Sequence, residues 1–147
     1  MDLAAAYTPI QQILDGKFEG ERVRIRGWVY RKREIKYTIF ILVRDATGVI
    51  QCTVKSDSPA WREADKVTIE SSVILEGTVK KDERAPGGYE IQTDKLTIVG
   101  LAETFPITKD YSEEFLRDVR HLWLRSRRMT LIMLVRSRVL EFIREFF

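Results

Sequence analysis

Between Arg22 and Val29 the chain reads Arg-Val-Arg-Ile-Arg-Gly-Trp-Val, with Val23, Ile25 and Val29 alternating against Arg22, Arg24 and Arg26. A period of two is that of a half-buried strand, apolar set inward and arginines outward. Tyr37 to Val43 forms a second β-rich run. Arg44-Asp45-Ala46-Thr47-Gly48 then supplies turn chemistry before a third strand over Val49 to Val54, so the two runs are predicted to pair as a hairpin. Ser58-Pro59-Ala60 opens a short helical stretch carrying Trp61 and Ala64, and strand character returns over Ser72 to Val79, where Gly77 marks a bend. A breaker-rich loop, Ala85-Pro86-Gly87-Gly88, leads to the last strand material over Tyr89 to Val99.

Five short strands with one helix inserted after the third, and no alternation of strand and helix, predict a mainly β fold. The specific expectation is a five-stranded OB-fold barrel, a partly open Greek key whose face and loops bind oligonucleotides. Ahead of it, Thr8-Pro9 followed by Ile10, Ile13 and Leu14 and closed by Asp15-Gly16 is read as a short helix capping one barrel end. After Leu101 the texture changes. Phe105-Pro106-Ile107 looks like an extended linker, and Ser112-Glu113-Glu114-Phe115 like a helix cap with acids in the first turn. Arg127 to Phe147 places Met129, Ile132, Met133, Val139, Leu140, Phe142, Ile143 and Phe146 on helical spacing, one long amphipathic helix. The expected organisation is therefore a barrel over 1–101, a hinge over 102–126 and a terminal helix over 127–147.

At 147 residues the chain can bury one principal core. No stretch approaches the roughly 20 apolar residues that span a bilayer, and no signal-peptide pattern opens the sequence, so a cytoplasmic protein without a membrane partner is expected. Cys52 is the single cysteine and His121 the single histidine, which excludes an internal disulfide and leaves no set for a structural metal. A net charge of +3 decides little, but its distribution does. Arg22, Arg24, Arg26, Arg31, Lys32, Arg33 and Lys36 crowd one stretch, and Arg117 to Arg138 holds another cluster. Both invite a polyanion, although alternate arginines on a strand also form an ordinary solvated face.

Gly27-Trp28-Val29, Phe40, Arg44-Asp45, Gly48 and Gln51, followed by Arg120-His121-Leu122-Trp123-Leu124-Arg125, together resemble the N-terminal region of the class IIb aminoacyl-tRNA synthetases. That family comprises the aspartate, asparagine and lysine enzymes, which set an OB-fold anticodon-binding domain ahead of an antiparallel catalytic domain. The resemblance runs from about Arg22 to Phe147. Trp123 within Arg-His-Leu-Trp-Leu-Arg is similar to the asparagine branch, archaeal members in particular, where the aspartate and lysine branches usually carry Asp. The loop Ala85 to Glu90 is similar to the same branch.

Unpaired bases are read by stacking on aromatic rings while hydrogen bonds probe their edges. Ile39 and Ile41 flank Phe40, so alternation puts the ring opposite two aliphatic side chains, and the resemblance implies that it stacks on an anticodon base. Gln51 has an amide that donates and accepts at once, which suits a uracil edge, and it matches the family's base-reading glutamine. The resemblance implies further that Arg33 lies near the anticodon and that Glu90 approaches its third base. Arg31, Arg26 and Lys32 are candidates for phosphate contacts. A tRNA is thus the implied partner, with a homodimer through the terminal helix as a further expectation. His121 has no partnered nucleophile or carboxylate motif and is assigned a packing role.

The same resemblance places the ATP-binding arginines and the implied ATP and Mg2+ chemistry of the full-length enzyme beyond residue 147, with Arg127 to Phe147 the start of the motif 1 helix, truncated. No catalytic residue and no cofactor is therefore expected in this stretch, and no aminoacyl-adenylate from it alone. The alternatives are the same domain of an aspartyl-tRNA synthetase, a free-standing OB module for single-stranded nucleic acid, and an interaction module working through its terminal helix.

Overall fold

In a computed structural model, which describes residues 6–108 and 111–147, the alternating arginine run opens a strand longer than its apolar pattern suggests. This strand, β1, spans Arg22–Ile35, followed by β2 (Thr38–Arg44), β3 (Val49–Lys55), β4 (Ser72–Lys81) and β5 (Tyr89–Gly100). Helix α1 (Ile10–Leu14) precedes the strands and α2 (Trp61–Lys66) lies between β3 and β4. The strands close into a barrel in the order β1-β2-β3-β5-β4, with β1 pairing β4. All neighbours are antiparallel except β3 and β5, which run parallel. Closure removes the exposed sheet edges that would otherwise pair with other chains. The expected OB-type barrel is the fold found.

The interior is the inward set of the alternation. Val23, Ile25, Val29, Ile39, Ile41, Val43, Ile50, Val54, Val73, Leu75 and Ile91 are buried, and α1 contributes Ile10 and Ile13 to the same core. Ala60, Ala64 and Val67 bring α2 onto it. Small residues appear where backbones cross. A Cβ on Gly27 would sit 2.2 Å from the Arg44 carbonyl oxygen, and one on Gly77 equally close to that of Gln92. The bend read at Gly77 is a register shift between Glu76 and Gly77.

Asp45 organises the β2–β3 turn. Its Oδ1 accepts from the N–H groups of Thr47 and Gly48, while Oδ2 accepts from the N–H of Ile10, tying α1 to the turn. Arg44 forms a two-pronged pair with Glu70 at 2.6 and 2.8 Å. Gly27, Arg44, Asp45 and Gly48, which carry much of the resemblance in the sequence, therefore each have a part in holding the fold.

The chain divides into two units, Met1–Phe105 and Pro106–Phe147. The division falls beyond the boundary expected after Leu101, because Ala102 is still held by the barrel unit. Its N–H donates to Ser71 Oγ and its carbonyl accepts from Thr68 Oγ1. The second unit holds α3 (Glu113–Asp118), α4 (Arg120–Trp123) and α5 (Arg127–Phe146). Ser112 Oγ accepts from the N–H of Phe115, the cap expected there, and Ser126 caps α5 in the same way through Met129. Much of the segment expected as a hinge is thus helical. His121 is exposed in its unit, which gives no support to a packing role. Leu131 to Val135, Val139, Leu140, Phe142 and Ile143 all stand exposed along α5. No helix among the described residues is long and apolar enough to cross a membrane.

Candidate nucleic-acid interface

A single extra residue in β1 decides which cations face outward. Register shifts between Val29 and Arg31, leaving Tyr30 as a bulge. Before the bulge, odd-numbered Val23, Ile25 and Val29 point into the core. After it the parity inverts, so that Arg31 lies opposite Leu42 and Arg33 opposite Phe40, while Lys32 falls opposite the core residue Ile41. Uninterrupted alternation would have put Arg31 and Arg33 inside.

Two rows of side chains then run across the outer face. One is Arg31, Leu42, Gln51, Glu90 and Lys80; the other is Arg33, Phe40, Thr53, Gln92 and Thr78. Phe40 is half-buried between the fully buried Ile39 and Ile41, as the alternation predicts. The Arg33 guanidinium lies 4.9 Å from the centroid of its ring. Gln51 is a diagonal neighbour of Phe40 on the adjacent strand, a Cβ separation of about 7 Å for this register. Phe40 and Gln51 therefore share one face and one nucleotide-sized patch.

Gln51 is only 6% exposed, yet it lies outside the row of Ile50 and Cys52 that enters the core. Its Nε2–H donates to Glu90 Oε2 at 3.2 Å, a bond between residues 39 apart that exists only because β3 and β5 run side by side. Glu90 is 7% exposed. Among the described residues the one wholly buried side-chain polar atom without a hydrogen bond is Arg24 Nε, so the remaining polar atoms of Gln51 and Glu90 are either bonded or open to solvent. Behind them, burial pushes the Cys52 thiol up to about 12, keeping it neutral and unreactive.

Of the other predicted cations, Arg31 joins this face and Lys32 and Arg26 do not. Lys32 crosses to the C-terminal end of α2 and donates to the carbonyls of Asp65 and Val67, satisfying helix-end acceptors. In this position its ammonium holds the end of α2. Arg26 sits before the bulge, opposite Ile74 on β4, with its guanidinium 4.7 Å from the Tyr7 ring. At strand rise it is about 20 Å along β1 from Arg33, so it belongs to a different patch. Arg31 is exposed and lies 5.0 Å from the Tyr30 ring. Arg84 is occupied by Asp82, whose carboxyl the Arg84 N–H groups hold below the usual carboxylate range.

Sequence reading missed Thr53, Gln92 and Lys80, which the strand pairing brings into the same rows. Gln92 carries the only signal that was there to find, a polar residue on the same parity as Glu90. Among the described residues no group of three His, Cys, Asp or Glu side chains comes together to hold a metal. The arrangement can stack a base, offer amide and carboxylate to its edge, and hold phosphates at the rim, which is chemistry of binding.

A closed five-stranded barrel with an aromatic, an amide and cations on one outer face defines a nucleic-acid-binding module, and residues 23–99 match the tRNA anti-codon family of OB-fold nucleic acid binding domains. The chain belongs to that family. Its relatives include asparagine–tRNA ligases. That of Thermococcus kodakarensis is 52% identical over 131 residues, covering 88% of this chain and 30% of the relative. That of Thermoplasma acidophilum is 43% identical over 141 residues, covering 94% and 33%. The crystal structure of asparaginyl-tRNA synthetase from Pyrococcus horikoshii complexed with asparaginyl-adenylate superposes with a TM-score of 0.86 at 36% identity, over 96% of this chain and 34% of that one. Aspartyl-tRNA synthetase from Entamoeba histolytica gives a TM-score of 0.84 at 21% identity, over 99% and 38%, and so shares the fold. The chain spans about a third of the length of these relatives.

Proposed function

We propose that this chain is the anticodon-reading part of an asparagine–tRNA ligase, with Phe40 stacking on an anticodon base and Gln51 reading a base edge beside it. The observation that carries the reading is the gathering of Arg31, Arg33, Phe40, Gln51 and Glu90 in two registered rows on one outer face of the barrel. The identities of 52% and 43% to asparagine–tRNA ligases favour asparagine over aspartate. A loop of unpaired RNA exposes faces for stacking and edges for hydrogen bonding, and a duplex offers neither at this width. Phe40 would supply the stacking surface. Gln51 keeps a carbonyl and an N–H beyond its bond to Glu90, and Glu90 offers an acceptor for a base N–H. Arg31 and Arg33 would neutralise phosphates on either side of the splayed bases.

The reading is tested by fluorescence anisotropy with a hairpin carrying the asparagine anticodon. Affinity should fall when the central U is replaced, and equal affinity for the replaced hairpin would reduce the module to a general single-strand binder. No catalytic step is assigned to these residues, and asparagine-dependent ATP–pyrophosphate exchange by them would contradict that. A cytoplasmic location follows from the same reading. A homodimer through α5 is proposed with it, and a chain that sediments as a monomer at micromolar concentration would remove it.

A further inference from the structure

The polar groups in the two rows of the outer face differ in what already engages them. In the row of Gln51, the amide is tied to Glu90 at 3.2 Å. In the row of Phe40, no hydrogen bond to another described residue engages the side chain of Gln92. Gln92 is half-buried on β5, with its neighbour Ile91 in the core, so its side chain stands on the same outer face as Glu90. Its amide is not wholly buried, and so its donor and acceptor are open on that face.

Between Phe40 and Gln92 lies Thr53, opposite both in the register and 8% exposed. Strands are spaced about 4.8 Å apart, so the Cα atoms of Phe40 and Gln92 are about 10 Å apart across the face. A threonine between them is short enough to leave the row open, where a leucine would fill it. A base lying on the Phe40 ring points one edge along this row, and a glutamine reaching back over Thr53 meets that edge.

We infer that Gln92 is a second base-reading side chain, placed to hydrogen-bond the edge of an unpaired pyrimidine stacked on Phe40. The inference rests on the stacking role proposed for Phe40. A primary amide donates and accepts together, which matches the adjacent N3–H and O4 of uracil. A carboxylate at the same position accepts but cannot donate, so it would lose the contact to O4. Gln51, held by Glu90, then fixes the neighbouring part of the site while Gln92 adapts to the base.

The test uses this chain and two RNA hairpins that differ at one loop position, uridine or an abasic sugar. Gln92→Ala is expected to weaken binding of the uridine hairpin about thirtyfold, the size of two net hydrogen bonds, and to leave binding of the abasic hairpin unchanged. Gln92→Glu, nearly the same in shape, should weaken the uridine hairpin about fivefold through the lost contact to O4 while keeping the thermal midpoint of the parent, which separates base reading from damage to the fold. Equal loss on both hairpins, or no loss on either while Phe40→Ala still weakens binding, overturns the inference and leaves the stacking platform in place. If Phe40→Ala itself binds the uridine hairpin like the parent, the platform reading falls and this inference falls with it.

Discussion

Phe40→Ala separates a surface platform from a core residue. The ring is half-buried outside the core, between Ile39 and Ile41, which are fully buried. Its removal should therefore cost stability only about 1 kcal/mol, mostly lost strand propensity and the contact with Arg33. Ile41→Ala, one residue along, opens a core cavity and should cost about 2–5 kcal/mol. RNA affinity should move the other way. Stacking is worth about 1–3 kcal/mol per base, or about five- to 150-fold in affinity. The Arg33 guanidinium already occupies the ring at 4.9 Å and must be displaced or shared, which places the expected loss in the lower part of that range, about tenfold. Urea unfolding gives the stabilities, and anisotropy with an anticodon hairpin gives the affinities. If Phe40→Ala destabilises as much as Ile41→Ala, or binds the hairpin like the parent, the assignment of this ring to an outer recognition face is wrong.

Arg31→Met should lower the slope of log affinity against log salt by about one, because an exposed cation on the binding face is lost, while Lys32→Met should leave that slope alone and lower the urea midpoint, because Lys32 holds the end of α2. Gly27→Ala must move the Arg44 carbonyl, 2.2 Å from the new Cβ, and should shift the thermal midpoint down by more than any outer-face substitution; a midpoint within a degree or two of the parent would contradict the close crossing. Glu76 accepts from Lys95 and sits near Arg24 and Arg22, which holds its carboxyl below the usual carboxylate range. A depressed pKa gives stability that is present above the unfolded value of about 4.3 and lost as pH falls through the folded one, so the urea midpoint should drop below about pH 5 and Glu76→Gln should flatten that drop.

Much of the barrel was legible in local pattern, because a strand's period of two, a turn's Asp and Gly and a helix cap's Ser act over a few residues. Ile39, Phe40 and Ile41 could be assigned to faces from alternation alone, and Asp45 to a turn. The capping role of Ser112 was legible for the same reason, while Ser126 went unremarked beside the long apolar helix it starts.

What alternation cannot see is a change of phase. The bulge at Tyr30 leaves no mark in composition, yet it turns Arg31 and Arg33 outward and sends Lys32 to α2. Nor does local pattern say which distant strands meet. The bond from Gln51 to Glu90 and the alignment of Gln92 with Phe40 come from the parallel pairing of β3 with β5 as the barrel closes. The amino-acid sequence alone determined which side chains could line a strand's two faces, since that depends on neighbours two residues away. Only the tertiary structure decided which of them share a site, since that depends on register between segments brought together by burying one common core.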